Sequence, residues 1–174
     1  PYDPRTAEQI VQEMEICHRD YGIREIDIFD YEFPLDRKRT MEVCRLIQER
    51  NLDLLWACRS RVDSLDEELV AQMRAAGCGR IYMGIETGSQ AILDQLNKKI
   101  SIPQIEKTVK TVKRHGIRPL GFFLVGVPGE TRSSIRQTVK FAKRLDLDYV
   151  QFSKLTAKPL TSLWRNLVDQ TGTD

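Results

Sequence analysis

Five short polar segments hold most of the side chains in this sequence that could do chemistry. They are Asp30-Tyr-Glu-Phe33, Arg59-Ser-Arg-Val-Asp63, Gly84-Ile-Glu-Thr-Gly-Ser89, Gly126-Val-Pro-Gly-Glu-Thr131 and Gln151-Phe-Ser-Lys154. Each directly follows an apolar run, so its charges stand at the mouth of a sheet rather than inside its core. Glu86 comes straight after Tyr82-Met-Gly-Ile85. Its carboxylate suits hydrogen bonds from ribose hydroxyls or an ammonium group; a salt bridge to a strand-end arginine such as Arg61 would be purely structural. Asp30 and Glu32, two residues apart, could face one side as metal ligands or an acid–base pair, or be ordinary carboxylates of an exposed loop. Gly126-Val-Pro-Gly129 is a Pro-Gly turn that could offer backbone amides to an anion or let a flat ring approach the main chain. Taken alone it reads better as a plain strand-to-helix turn. No Gly-Lys-Ser/Thr follows it, and it is not G-x-G-x-x-G, so neither common phosphate loop is present.

The chain has no nucleophile triad at these strand ends, because His18 and His115 both fall within helical segments. Cys17, Cys44, Cys58 and Cys78 are scattered, without a C-x-x-C pair. That spacing fits reduced, mostly buried thiols of a cytosolic protein better than a metal site.

The elements that position these segments alternate regularly. Thr6-Ala-Glu-Gln9 is a capping box opening a helix that stops at Gly22, and Ile23 to Phe29 is a strand. Asp36 to Glu49 is the next helix, and Leu52 to Cys58 the next strand. Ser64-Leu-Asp-Glu67 is a second capping box for a helix ending at Gly77, before a strand from Ile81 to Ile85. Helices follow over Gln90 to Leu96 and Ser101 to His115, with Pro103 in the tolerated first turn. Leu120 to Val127 is the most continuous apolar strand. Thr131 to Leu145 is an amphipathic helix, Tyr149 to Leu155 the last strand, and Thr161 to Val168 the start of a final helix. Strands separated by single helical stretches predict a parallel sheet with right-handed crossovers. Periodicity leaves two α/β architectures open, a doubly wound sheet and an arc of a TIM-like barrel. Both place ligands at the carboxyl ends of the strands.

Composition narrows the classes further. The chain has 174 residues, 41% hydrophobic and 30% charged, with a net charge of +2. That is one soluble domain with ample core, shorter than a complete eight-stranded barrel of about 250 residues. The near balance of charge argues for neither a nucleic-acid footprint nor a membrane surface. No apolar run approaches the roughly 18 residues of a membrane span. A start at Pro1 rather than Met points to a piece of a longer protein.

Taken together, Ile23-Arg-Glu-Ile-Asp-Ile-Phe-Asp30, Trp56-Ala-Cys-Arg-Ser-Arg-Val-Asp63, Ala75-Ala-Gly-Cys78, Gly84-Ile-Glu-Thr-Gly-Ser-Gln90, Leu96-Asn-Lys98 and Gly121-Phe-Phe-Leu-Val-Gly-Val-Pro-Gly-Glu-Thr131 resemble the radical S-adenosylmethionine (SAM) core of the group that often carries a cobalamin-binding domain. The resemblance runs from about Arg5 to Leu155. It implies an α/β fold, a partial TIM-like (β/α)6 barrel whose first strand, with a C-x-x-x-C-x-x-C loop, precedes Pro1, and it makes residues 1–174 the remainder of one core domain. The implied cofactors are SAM, a 4Fe–4S cluster with ligands upstream of this chain, and cobalamin. The implied partners are a small-molecule substrate and an electron donor such as ferredoxin or flavodoxin, in the cytoplasm, with no membrane and no nucleic acid. The implied activity is reductive cleavage of SAM to a 5′-deoxyadenosyl radical, of methyltransferase, oxidoreductase or cyclase type. The isolated chain would be inactive.

The resemblance also assigns residues. Glu86 matches the contact to the SAM ribose, and Lys98 a cation facing the methionyl carboxylate. Glu32 falls near the position that holds the SAM amino group, although the sequence there reads Asp-Tyr-Glu rather than Asp-Asp-x. Arg59 is a polar SAM-facing position, and Val125, Gly126, Gln151 and Ser153 flank the adenine. No residue is assigned as catalytic or as a metal ligand. Two departures stand out: the three cluster cysteines are absent, and Thr156-Ala-Lys-Pro-Leu-Thr161 lacks the group's usual Pro-Gly-Thr. A non-catalytic binding module that kept the barrel and lost the cluster is the competing reading. A phosphate-binding TIM-barrel enzyme needing no iron ranks below both.

Overall fold

The computed structural model describes residues 4–159, 161 and 164–165. Helix α1 (Ala7–Tyr21) opens at Thr6, whose side chain accepts from the Gln9 amide while the Gln9 side chain accepts from the Thr6 amide. This reciprocal pair satisfies two amides that have no partner inside the helix. The helix stops at Gly22, whose φ of 67° is a left-handed conformation open to glycine at little cost. Strand β1 (Glu25–Ile28) follows, and the unit then repeats. Helix α2 (Arg37–Glu49) leads to β2 (Leu55–Arg61), and α3 (Glu67–Ala75) to β3 (Cys78–Glu86). The pair α4 (Gln90–Gln95) and α5 (Ile102–Arg114) leads to β4 (Arg118–Val125), and α6 (Arg132–Arg144) to β5 (Tyr149–Lys154).

The five strands are parallel, and their order in the sheet is their order in the sequence. A doubly wound sheet reverses its strand order at a switch point, and this sheet does not. Right-handed crossovers then place the helices on one face, and the sheet curls into a half-barrel. On the helix side Trp56, Cys58, Ile81, Met83, Ile85 and Phe123 are buried against Val43, Leu69, Val109 and Phe141 of the helices. Each large apolar side chain so buried contributes about 1.5–3 kcal/mol. The other face is the lumen, where Asp27, Arg59, Arg61, Tyr82, Phe122 and Gln151 remain partly or fully exposed.

Lumen exposure explains where the strands depart from expectation. Strand β2 runs on to Arg61 instead of stopping at Cys58, and β3 begins at Cys78 instead of Ile81. Alternation turns their polar residues toward the open lumen, where nothing packs on them, so apolar continuity marks only part of each strand. Strand β1 is shorter than expected because, among the described residues, it pairs on one side only. Along its free edge lies a groove of about 500 Å³ whose apolar lining includes Ile10, Met14, Ile26 and Phe33.

Two 3-10 turns, Phe33–Leu35 and Val62–Ser64, follow β1 and β2. The second takes up Ser64, so α3 is capped by Asp66, whose carboxylate accepts from the Leu69 amide at 2.8 Å. The side chains of Ser101 and Thr131 cap α5 and α6. The helix expected over Thr161 to Val168 lies largely outside the described residues. Among those described, no helix is long and apolar enough to cross a membrane.

One contact ties the end of β3 to α6. The Thr87 and Thr138 hydroxyls lie 2.9 Å apart, and the Gly88 amide donates to Thr138 Oγ1 at 3.1 Å, all buried. Gly88 is in close contact with α6: a Cβ there would sit 2.5 Å from Phe141 Cβ and 2.9 Å from Thr138 Cα.

Candidate functional site

At its carboxyl end β3 turns sharply. Glu86 adopts φ 68°, a left-handed conformation costing a non-glycine residue about 1–3 kcal/mol. The register with β4 shifts between Gly84 and Glu86, a bulge that re-aims the side chain. The carboxylate folds back over its own strand: a Cβ on Gly84 would lie 2.9 Å from Glu86 Oε1 and 3.9 Å from Lys98 Nζ. Gly-Ile-Glu is therefore one geometric unit, in which the missing side chain of Gly84 leaves room for the acid. Lys98 Nζ lies 2.5 Å from Glu86 Oε1, with the acid side chain 11% exposed and the lysine 28%.

Lys98 arrives from the turn after α4, flanked by Asn97 and Lys99 at φ 52° and 55°. Its carbonyl accepts from Arg61 Nη2 at 3.0 Å. Arg61 also grips Asp63 through two hydrogen bonds of 2.9 and 2.8 Å. Burial alone would raise the Asp63 carboxyl, but the Arg61 hydrogen bond and charge outweigh it and hold the group below its ordinary value. Arg61 is raised above its ordinary value by that same hydrogen bond, burial opposing. The ion-pair partner of Glu86 is thus Lys98 rather than Arg61.

Arg59 lies on the lumen wall. It donates to Asp27 at 2.9 Å and to the Ile28 carbonyl at 3.2 Å. Its guanidinium sits 3.9 Å from the Phe29 ring centroid and 5.2 Å from that of Tyr82. Tyr82 in turn stacks on Phe122 at 5.7 Å. Asp30 and Glu32 do not act together: Asp30 faces Arg39 at 3.6 Å, while Glu32 accepts from the Ser64 hydroxyl. Among the described residues no group of three or more His, Cys, Asp or Glu could hold a metal ion. At the β4 end the Gly126 amide donates to Glu130 Oε2 at 2.6 Å, so the chain's own acid occupies one of the donors such a turn can offer, in keeping with a plain strand-to-helix turn. Val125 ends β4 beside Lys154, and Gln151 donates to Ser153 at 3.3 Å on β5.

The structure therefore joins Glu86 and Lys98 directly and leaves the other assigned residues on separate parts of the rim and wall. Glu32 is held on the loop after β1, Arg59 on the β2 wall, and Val125, Gly126, Gln151 and Ser153 on β4 and β5. Sequence reasoning passed over Gly84, whose signal was a glycine two residues ahead of a strand-end acid, and the aromatic faces around Arg59.

An acceptor and a cation fixed side by side at the lumen mouth fit the hydroxyl and carboxylate groups of an amino-acid nucleoside. The thiols do not fit an iron–sulfur cluster. Cys44, Cys58 and Cys78 are buried in the core. Burial, with Cys78 adjacent, pushes the Cys44 thiol up to about 12. A hydrogen bond with Cys78, and burial after it, raise Cys58 well above its ordinary value. Buried on the helix side and held protonated in this way, these thiols are poorly placed to receive a cluster at the lumen.

Comparisons with known proteins agree with this architecture. The family model of the radical SAM superfamily matches residues 1–142. A protein of Pyrococcus horikoshii described as an uncharacterized methyltransferase is 40% identical over 159 residues, 91% of this chain and 35% of its own length. The anaerobic magnesium-protoporphyrin IX monomethyl ester cyclase of Rubrivivax gelatinosus is 29% identical over 171 residues, 97% of this chain and 31% of its own. The chain thus spans about a third of the length of these relatives. The radical SAM methyltransferase TsrM of Kitasatospora setae, solved with cobalamin and a [4Fe–4S] cluster, superposes with a TM-score of 0.87 at 24% identity, over 95% of this chain and 32% of that one. With the sequential parallel half-barrel and the Gly-Ile-Glu turn at its mouth, these matches show that the chain belongs to the radical SAM superfamily.

Proposed function

We propose that this chain forms the SAM-binding wall of a radical SAM enzyme, with residues 1–174 part of a single core domain. Glu86 accepts hydrogen bonds from the SAM ribose, and Lys98 faces the methionyl carboxylate. The observation that carries this reading is the left-handed Glu86, held at the lumen mouth against Lys98. Strain of that kind persists where the surrounding structure enforces it, and it clusters at functional sites.

When bound, SAM supplies a sulfonium whose reductive cleavage, by an electron from a 4Fe–4S cluster held outside this chain, yields the 5′-deoxyadenosyl radical. The chain's own residues bind and orient. Lys98, released from part of its bond with Glu86, supplies a charge-assisted hydrogen bond to the carboxylate. Glu32 stands on the adjoining rim for the amino group. Arg59, fixed between Phe29 and Tyr82, keeps a cation on the wall, and Val125, Gly126, Gln151 and Ser153 border the adenine. The names of the relatives support methyl transfer and cyclisation as candidate reactions, and the groups bound in the TsrM structure support cobalamin as a candidate cofactor; a small-molecule substrate and an electron donor such as ferredoxin or flavodoxin complete the reading.

Calorimetric titration of the full-length protein with SAM tests the assignment. Glu86→Gln is expected to weaken SAM about tenfold, the loss of one charge-assisted hydrogen bond, with an unchanged circular dichroism spectrum. Unchanged affinity in a folded Glu86→Gln protein would refute the role of Glu86. Absence of 5′-deoxyadenosine from the anaerobically reconstituted, reduced protein would favour the non-catalytic binding module.

A further inference from the structure

The small net charge of the chain hides a strong segregation. Between residues 98 and 144 the acids are Glu106 and Glu130, against a long series of lysines and arginines. Helix α6 carries Arg132, Arg136, Lys140, Lys143 and Arg144 and no acid at all. Four of these, Arg132, Arg136, Lys140 and Arg144, recur every fourth residue and so form one stripe along the helix. Like charges at that spacing work against helix formation.

Pairing is sparser on α6 than on its neighbours. On α1 and α2, Arg19, Arg37, Arg39 and Arg45 each engage at least one carboxylate, as do Lys113 and Arg114 at the end of α5. On α6 only Arg144 has an ion pair among the described residues, with Glu106 at 2.9 Å. Arg132, Arg136, Lys140 and Lys143, with Lys107 and Lys110 on neighbouring α5, are exposed cations without a partner there. Between α6 and the α4–α5 segment runs a groove of about 590 Å³, with polar lining from Gln90, Ser133, Arg136, Gln137, Lys140 and Arg144 and no carboxylate.

We infer that this face is a docking surface for a nucleic-acid duplex, read through its phosphate backbone. Cations interleaved with Ser and Gln donors are the residue types that contact phosphates. The face lacks what the other acidic partners require. Of the large exposed apolar side chains, only Val139 lies on α5 or α6. A protein interface centres on aromatic and aliphatic anchors, an anionic membrane is engaged by a basic helix that also inserts an apolar face, and single strands are held by stacking on aromatic rings. A regular row of cations about 18 Å long, without anchors, matches a uniform line of phosphates. This inference stands independently of the SAM assignment, because the face is on the outside of the half-barrel.

The test is binding of a fluorescein-labelled 20-base-pair RNA duplex, and of the DNA duplex of the same sequence, to the full-length protein. Retention of either duplex at 50 mM salt is expected, with affinity falling roughly a hundredfold by 200 mM as about four phosphate contacts are screened. Arg136→Glu/Lys140→Glu is expected to weaken binding at least thirtyfold, whereas the matched change Lys38→Glu/Arg74→Glu alters it less than threefold. Should the reversed variant lose its circular dichroism signal, Arg136→Gln/Lys140→Gln is expected to weaken binding about tenfold. The proposal is overturned if neither duplex is retained, or if the folded α6 variants bind as wild type. It also fails if polyglutamate or phosphatidylserine vesicles bind as tightly as the duplexes, since the face would then serve an acidic protein or a membrane.

Discussion

Removing the cation of the Glu86–Lys98 pair separates its structural from its binding role. Lys98→Met leaves the acid, 11% exposed, without its ammonium partner. Breaking a fully buried pair from one side costs about 3–5 kcal/mol, and an exposed pair about 0–1. With Lys98 28% exposed, water reaches one side of the pair, and the loss should fall between these limits at about 2 kcal/mol. Glu86→Gln removes the charge but keeps an amide oxygen facing the lysine, so about 1 kcal/mol is lost. In Glu86→Gln/Lys98→Met no charge remains to desolvate, and the double variant should recover to within about 1 kcal/mol of wild type. Urea denaturation at pH 7 measures all four proteins, with equal m-values certifying that the transition is unchanged. The coupling energy should exceed about 1 kcal/mol, and the stable double variant should still bind SAM more than tenfold more weakly. Additivity within about 0.4 kcal/mol would mean that the 2.5 Å contact carries no energy, and the reading of the site would lose its foundation.

Three further outcomes check the fold and its thiols. Gly88→Ala drives a methyl into Phe141 and the Thr138 backbone and should cost about 2–3 kcal/mol; a loss below about 0.5 kcal/mol in chemical denaturation would contradict the tight β3–α6 contact. Asp66→Ala should cost about 1 kcal/mol as the loss of a helix cap, while Ser64→Ala costs about half that, since its hydroxyl holds Glu32 instead. Iodoacetamide at pH 8 should label Cys17 in the native protein and reach Cys44, Cys58 and Cys78 only after unfolding, because all three are buried, with burial keeping Cys44 protonated and the hydrogen bond with Cys78, then burial, keeping Cys58 so; mass mapping of native labelling at Cys58 would refute that.

The features most legible in the sequence were those governed by neighbouring residues. The Thr6–Gln9 capping box, the stop at Gly22 and the five apolar runs each express a local preference, and each produced its element. Asp66 displaced Ser64 as a cap because both have the right residue type, and only the 3-10 turn at Val62–Ser64 decides between them. Arg59 and Arg61 sit inside β2 rather than after it because a half-barrel leaves one face unpacked, and hydropathy alone does not report that face. At the site, Glu86 was legible as a strand-end acid, but its partner was not. Lys98 reaches it through a turn in which Asn97 and Lys99 adopt left-handed backbone without any glycine. At Gly126 the choice between an anion-binding turn and a plain one also lay beyond the motif, since Glu130 four residues on returns to take its amide.

The acid at the barrel mouth is seated on Gly84 of its own strand, and its counter-ion comes from the next turn along the chain. Its placement is therefore decided at short range. Among the described residues β1 and β5 each pair on one side only, so the curl of the sheet is set by contacts along those two edges, whereas the spacing of this anion and cation is set by contacts near β3 alone. A difference in curl from one such shell to another would therefore leave the grip on a small polar ligand unchanged.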